Sequence, residues 1–66
     1  MRLTVNGEER MFLDAANVAD LVARLGLDAR KVAVELNLAI IPRSAYAQAA
    51  LADGDRVEIV HFIGGG

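Results

Sequence analysis

The sequence predicts an α+β fold, a mixed sheet of four to five strands with one main helix packed on one face. Three patterns lead there. Arg2-Leu3-Thr4-Val5 alternates apolar and polar residues and runs into Asn6-Gly7, a hairpin signal. Val18, Leu21, Val22 and Leu25 then recur at helical spacing. The rest of the chain returns to period two, at Val32, Val34 and Leu36 and again at Val57 and Ile59.

The elements follow in chain order. Arg2 to Val5 is the first strand, and Asn6-Gly7 suits the positive φ angles at both central positions of a type I′ turn. The returning strand is expected over Glu8 to Leu13, with Phe12 inward and Arg10 at its rim. Asn17 can accept a hydrogen bond from an orphan N–H, and Asp20 completes a capping-box-like arrangement at the positive end of the helix dipole. The helix is expected over Val18 to Leu25, closed by Gly26 as a left-handed cap with apolar Leu27 behind it. Lys31 to Asn37 reads as a central strand, and Ile40-Ile41 as a short edge strand stopped by Pro42. The alanine-rich stretch Ser44 to Ala50 suggests a turn of helix, and Asp53-Gly54-Asp55 is a turn that launches a last strand over Arg56 to Phe62. A core this small closes most economically when the first and last strands are parallel central neighbours, which is the β-grasp arrangement.

Bulk properties exclude several classes of function. A chain of 66 residues is one domain. It buries only about 60% of its unfolded surface, so a large enclosed active site is not expected. Hydrophobic residues make up 55% of the chain. No uninterrupted apolar run approaches the roughly 20 residues that span a bilayer, so no membrane association is expected. Met1 to Gly7 reaches turn residues before a signal-peptide apolar region can form, so the expected setting is cytoplasmic. There is no cysteine, which removes disulfides, thiolate metal sites and thiol nucleophiles together. The net charge is −2 and the seven basic residues are scattered, so nucleic acid is not an expected partner.

The side chains able to do chemistry form no constellation. His61 stands alone at the end of a strand, without the partners that acid–base work requires. Asp53, Asp55 and Glu58 lack the ordered oxygen ligands of a calcium loop, and no metal site is expected. Ser44 follows Pro42-Arg43 instead of opening an acidic helix, which disfavours a phosphopantetheine carrier. The terminal glycines precede no helix that could hold an anion. What remains is the α-carboxylate of Gly66. Residues 1–62 are expected to form the globular domain and 63–66 a flexible glycine tail, which fully extended reaches about 13 to 14 Å. Gly64 and Gly65, having no Cβ, suit a narrow channel in a partner, and Gly66 would be the activated terminus. A carboxylate is a poor electrophile and would first have to become an acyl-adenylate, with ATP held by the partner and no cofactor bound by the chain itself. Without a thiol, a sulfur cargo can be held only at that terminal acyl group. If Val57 and Ile59 point into the core, Glu58, Val60 and Phe62 point outward and, with Ile63, form a docking patch beside the tail.

Across its whole length the chain resembles the ubiquitin-like β-grasp superfamily, and within it the ThiS family of sulfur carriers in thiamine biosynthesis. The blocks that carry the resemblance are VAVELN at Val32 to Asn37, IPRS at Ile41 to Ser44, DGDRVEIV at Asp53 to Val60, and the final GGG. The resemblance implies a carrier that is not itself an enzyme. A ThiF-like adenylyltransferase would adenylate Gly66, and sulfur drawn from cysteine through a desulfurase would convert it to a thiocarboxylate. The sulfur would then pass to a ThiG-like thiazole synthase for thiazole ring formation. Leu38-Ala39 departs from the family pattern, standing where a polar tight turn is expected, and Tyr46 stands where the family often has tryptophan. Two alternatives share the chemistry of the terminus: a carrier of the molybdopterin synthase small-subunit type, and a ubiquitin-like protein modifier.

Overall fold

The computed structural model describes residues 1–62. Its elements are β1 (Arg2–Val5), β2 (Glu8–Met11), α1 (Val18–Arg24), β3 (Val32–Leu36), β4 (Ala39–Ile41) and β5 (Arg56–His61), with short 3₁₀ turns at Ala29–Lys31 and Arg43–Ala45. The sheet has five strands in the order β2-β1-β5-β3-β4. β1 and β5 run parallel, while β1–β2, β3–β4 and β3–β5 are antiparallel. The first and last strands are therefore inner neighbours and β4 is a short edge, the β-grasp arrangement that the sequence predicts.

Period two sorts the side chains of this sheet. Leu3, Val5, Val32, Val34, Val57 and Ile59 are buried on one face with Val18, Leu21 and Val22 of α1. Each such side chain contributes about 1.5–3 kcal/mol when fully withdrawn from water. Tyr46 and Leu51, from the loop before β5, close the same core. Burial raises the pKa of the Tyr46 phenol above its ordinary value, and its O–H donates to the Val32 carbonyl at 3.2 Å.

Local chemistry sets the ends of the elements. Asn6 and Gly7 have φ of 50° and 82°, as a type I′ turn requires. At the start of α1 the Asp20 N–H donates to Asn17 Oδ1 at 2.8 Å, while the Asp20 carboxylate accepts from the Ala16 N–H at 3.0 Å. The reciprocal bond of the capping box thus falls one residue before the cap. At the other end the Gly26 N–H donates to the Ala23 carbonyl and the Leu27 N–H to the Val22 carbonyl. With Gly26 at φ 73°, this pair of bonds is a Schellman motif.

α1, β3, β4 and β5 each have an end one residue from expectation, at Arg24, Leu36, Ala39 and His61, and three further differences have a clear physical cause. β2 ends at Met11 because the ladder's last partner is Met1, which bonds Phe12, while Leu13 is 93% exposed. Phe12 does turn toward the core, with the Arg10 guanidinium 5.5 Å from its ring centre. β3 begins at Val32 because Asp28 caps a 3₁₀ turn, accepting from the Arg30 N–H at 2.9 Å. The Arg30 guanidinium grips the same carboxylate and, with that N–H, holds its pKa at about 2. Ser44 to Ala50 yields only one 3₁₀ turn because the loop's carbonyls have another use. Those of Tyr46 and Ala49 accept the first N–H groups of α1, from Ala19 and Val18.

Candidate functional site

With α1 on one face, no described element covers the other face of the sheet, and the register defines what that face carries. Glu58 lies opposite Glu35, and Val60 opposite Ala33, while Ile40 on β4 lies opposite Glu35 from the other side. Cross-strand partners share a face, so these side chains project together away from the helix. Val60 is 62% exposed and Ile40 is 76% exposed. Leu38, at the tip of the β3–β4 turn, is 80% exposed. Phe62 is also exposed, and its N–H donates to the Lys31 carbonyl at 3.0 Å, so the ladder holds to the last described residue.

Of the residues singled out in the sequence, Glu58, Val60 and Phe62 are exposed, as their parity demands. Ile63, Gly64, Gly65 and Gly66 lie outside the described residues. Ala33, Glu35, Leu38 and Ile40 belong to the same face, and sequence reasoning missed them. Their signal was available only through strand order: until β3 and β4 are known to flank β5, nothing in the local pattern puts them beside Glu58 and Val60.

The Asn6 side chain fixes the outer end of β5. Its Nδ2 donates to the Ile59 carbonyl at 3.2 Å and its Oδ1 accepts from the Ile59 N–H at 2.7 Å. A side-chain amide thus continues the β1–β5 ladder past the end of β1. This braces the strand just where it leads toward Phe62.

The remaining polar groups serve structure. Asp53 accepts from the Arg2 N–H at 2.6 Å, and Asp55 accepts from the Ala52 N–H at 2.8 Å and from Asn37 Nδ2 at 3.0 Å, so both carboxylates are turn acceptors. Among the described residues no charged side chain is buried, and no group of three or more histidine or acidic side chains could hold a metal. His61 is exposed on the helix side of the sheet, beside Leu25 and Leu27. No described helix is long and apolar enough to cross a membrane. What this arrangement offers is a braced strand end and an exposed, partly apolar face suited to a macromolecular partner.

Comparison with known proteins agrees with this geometry. The ThiS family model matches residues 3–66. The chain is 40% identical over 65 residues to the sulfur carrier protein ThiS of Bacillus subtilis, covering 97% of this chain and 98% of that protein. It is 59% identical over 66 residues to a thiazole synthase of Paramagnetospirillum magneticum, covering all of this chain but only 20% of the synthase's length. The crystal structure of a thiamine biosynthesis protein (ThiS) from Geobacter metallireducens superposes with a TM-score of 0.85 at 40% identity, with 100% of both chains covered.

Proposed function

The chain belongs to the ThiS family, and from that premise we propose that it is a sulfur carrier whose working group is the carboxylate of Gly66. The observation that carries the reading is the strand end. β5 leads along the bare face to exposed Phe62, and the next residues in sequence are Ile63-Gly64-Gly65-Gly66. Residues 1–62 then act as the globular body and 63–66 as the segment that a partner receives. The body docks through Glu58, Val60, Phe62 and Ile63, and its contacts offset the entropy lost when Gly64 and Gly65 are ordered.

The chemistry balances without any catalytic side chain in the carrier. A carboxylate oxygen of Gly66 attacks the α-phosphorus of ATP held by a ThiF-like adenylyltransferase, and pyrophosphate leaves. Hydrosulfide, released when a thiol reductant reduces the persulfide that a desulfurase forms from cysteine (the thiol being oxidised to a disulfide), then attacks the acyl carbon and AMP leaves. The new C–S bond replaces the C–O bond to AMP, and the product is a thiocarboxylate. Kinship with a segment of a thiazole synthase supports a ThiG-like thiazole synthase as the recipient of that sulfur.

Mass spectrometry tests this directly. After incubation with ATP, a ThiF-like enzyme and a sulfur source, the chain should gain about 16 Da, sulfur having replaced oxygen in the group that is activated and attacked. A variant lacking Gly66 should gain nothing. Equal gain in that variant would move the sulfur to another site and end the reading.

A further inference from the structure

The centre of the bare face holds a pair of like charges. Glu35 and Glu58 are directly opposite in the antiparallel β3–β5 ladder, so both carboxylates stand on the outer face. Like charges in this position repel and destabilise a sheet. Neither belongs to any of the three ion pairs among the described residues, which join Arg2 to Glu9, Arg24 to Asp14 and Arg30 to Asp28. Arg56 lies on the same face one pleat from Glu58, yet it pairs with neither carboxylate.

The two carboxylates border an open depression together with Thr4, Leu38 and Arg56. Exposed Ile40 and Val60 flank the pair on the neighbouring positions of the same face. The surface therefore combines an apolar frame with two carboxylates that form no ion pair among the described residues.

We propose that Glu35 and Glu58 together seat one arginine of the protein that docks on this face. The planar guanidinium fork presents donors in two directions, so it can take a bond to each carboxylate and replace their repulsion with two charge-assisted contacts. Leu38, Ile40 and Val60 exclude water around that contact, which strengthens it. The inference rests on the reading that the outer face docks the adenylylating partner, and it names the chemistry that partner presents. It also predicts the opposite effect in the free protein, where removing either charge relieves repulsion.

The test measures affinity for the ThiF-like enzyme at low and moderate salt, with the full chain and the variants Glu35→Gln, Glu58→Gln, the double variant and Val60→Ser. Each glutamine variant should bind about tenfold more weakly, and the double variant should lose most of the salt dependence. Thermal melts of both single variants should be no lower than that of the parent. Val60→Ser should weaken binding and leave the salt dependence intact. If the double variant keeps parental affinity and salt dependence while Val60→Ser binds weakly, the arginine seat is wrong and the docking face stands. If Val60→Ser binds as the parent does, the docking face itself is wrong. Lower melts in the glutamine variants would show that the carboxylates stabilise the sheet, overturning the repulsion on which the seat depends.

Discussion

Leu38 occupies a backbone state that costs a side chain dearly. Its φ is 74°, and that of Asn37 is 50°, so the tight turn between β3 and β4 forms with a branched apolar residue where glycine fits better. The left-handed region costs a non-glycine residue about 1–2 kcal/mol. Leu38→Gly should therefore stabilise the protein by roughly 0.5–1 kcal/mol after the greater entropy of glycine in the unfolded chain is counted. Leu38→Ala keeps the unfavourable φ and should gain nothing. Urea denaturation decides between them: a higher midpoint for glycine at unchanged slope is expected, and equal midpoints would show that the turn is unstrained. The leucine side chain buries little in return, being 80% exposed. Leu38 stands on the face proposed for docking, where an exposed apolar side chain would have a use.

The clearest case at the scale of elements is the brace between the β1–β2 turn and β5. Asn6→Gly preserves the positive φ and removes both side-chain bonds to Ile59. The loss should be about 1–2 kcal/mol, and hydrogen exchange should quicken at the Ile59 amide while Val18, bonded to Ala49 on α1's side, is unaffected. Unchanged protection at Ile59 would mean that the ladder needs no brace. Asn6-Gly7 was legible in the sequence as a turn because its φ requirements are local. The brace was not, since it joins residues 53 apart. The same division recurs elsewhere. Asn17, Gly26 and Pro42 mark their boundaries locally, and those boundaries were read within a residue or so. The turn of helix expected over Ser44 to Ala50 appears only as the 3₁₀ turn at Arg43–Ala45, because later carbonyls of the loop are taken by the N-terminus of α1, a demand that arises only after folding. For the site, period two gave Glu58 and Val60, whereas Glu35, Leu38 and Ile40 join them only through the strand order.

At the scale of the molecule, the one helix and one sheet of the described residues form a single core, and none of those residues covers the second face of the sheet. Among the described residues there is no second helix with which to cover it. Glu58 and Val60 on β5 and Phe62 just after it are exposed, so on the proposed reading this one strand joins docking to delivery. The strand proposed for docking is held on both sides, bonded to β3 on one and to β1 and the Asn6 amide on the other. On the proposed reading the carried group belongs to the backbone and needs no pocket of its own. If, as proposed, sulfur travels on this chain to a thiazole synthase, an isotope label will follow it. A carrier loaded with a heavy sulfur isotope at its thiocarboxylate should be mixed with the synthase and its other substrates in the presence of ordinary sulfide. The account predicts that the heavy isotope enters the thiazole ring as the carrier reverts to its carboxylate mass. A ring built from ordinary sulfide, with the label still on the carrier, would contradict it.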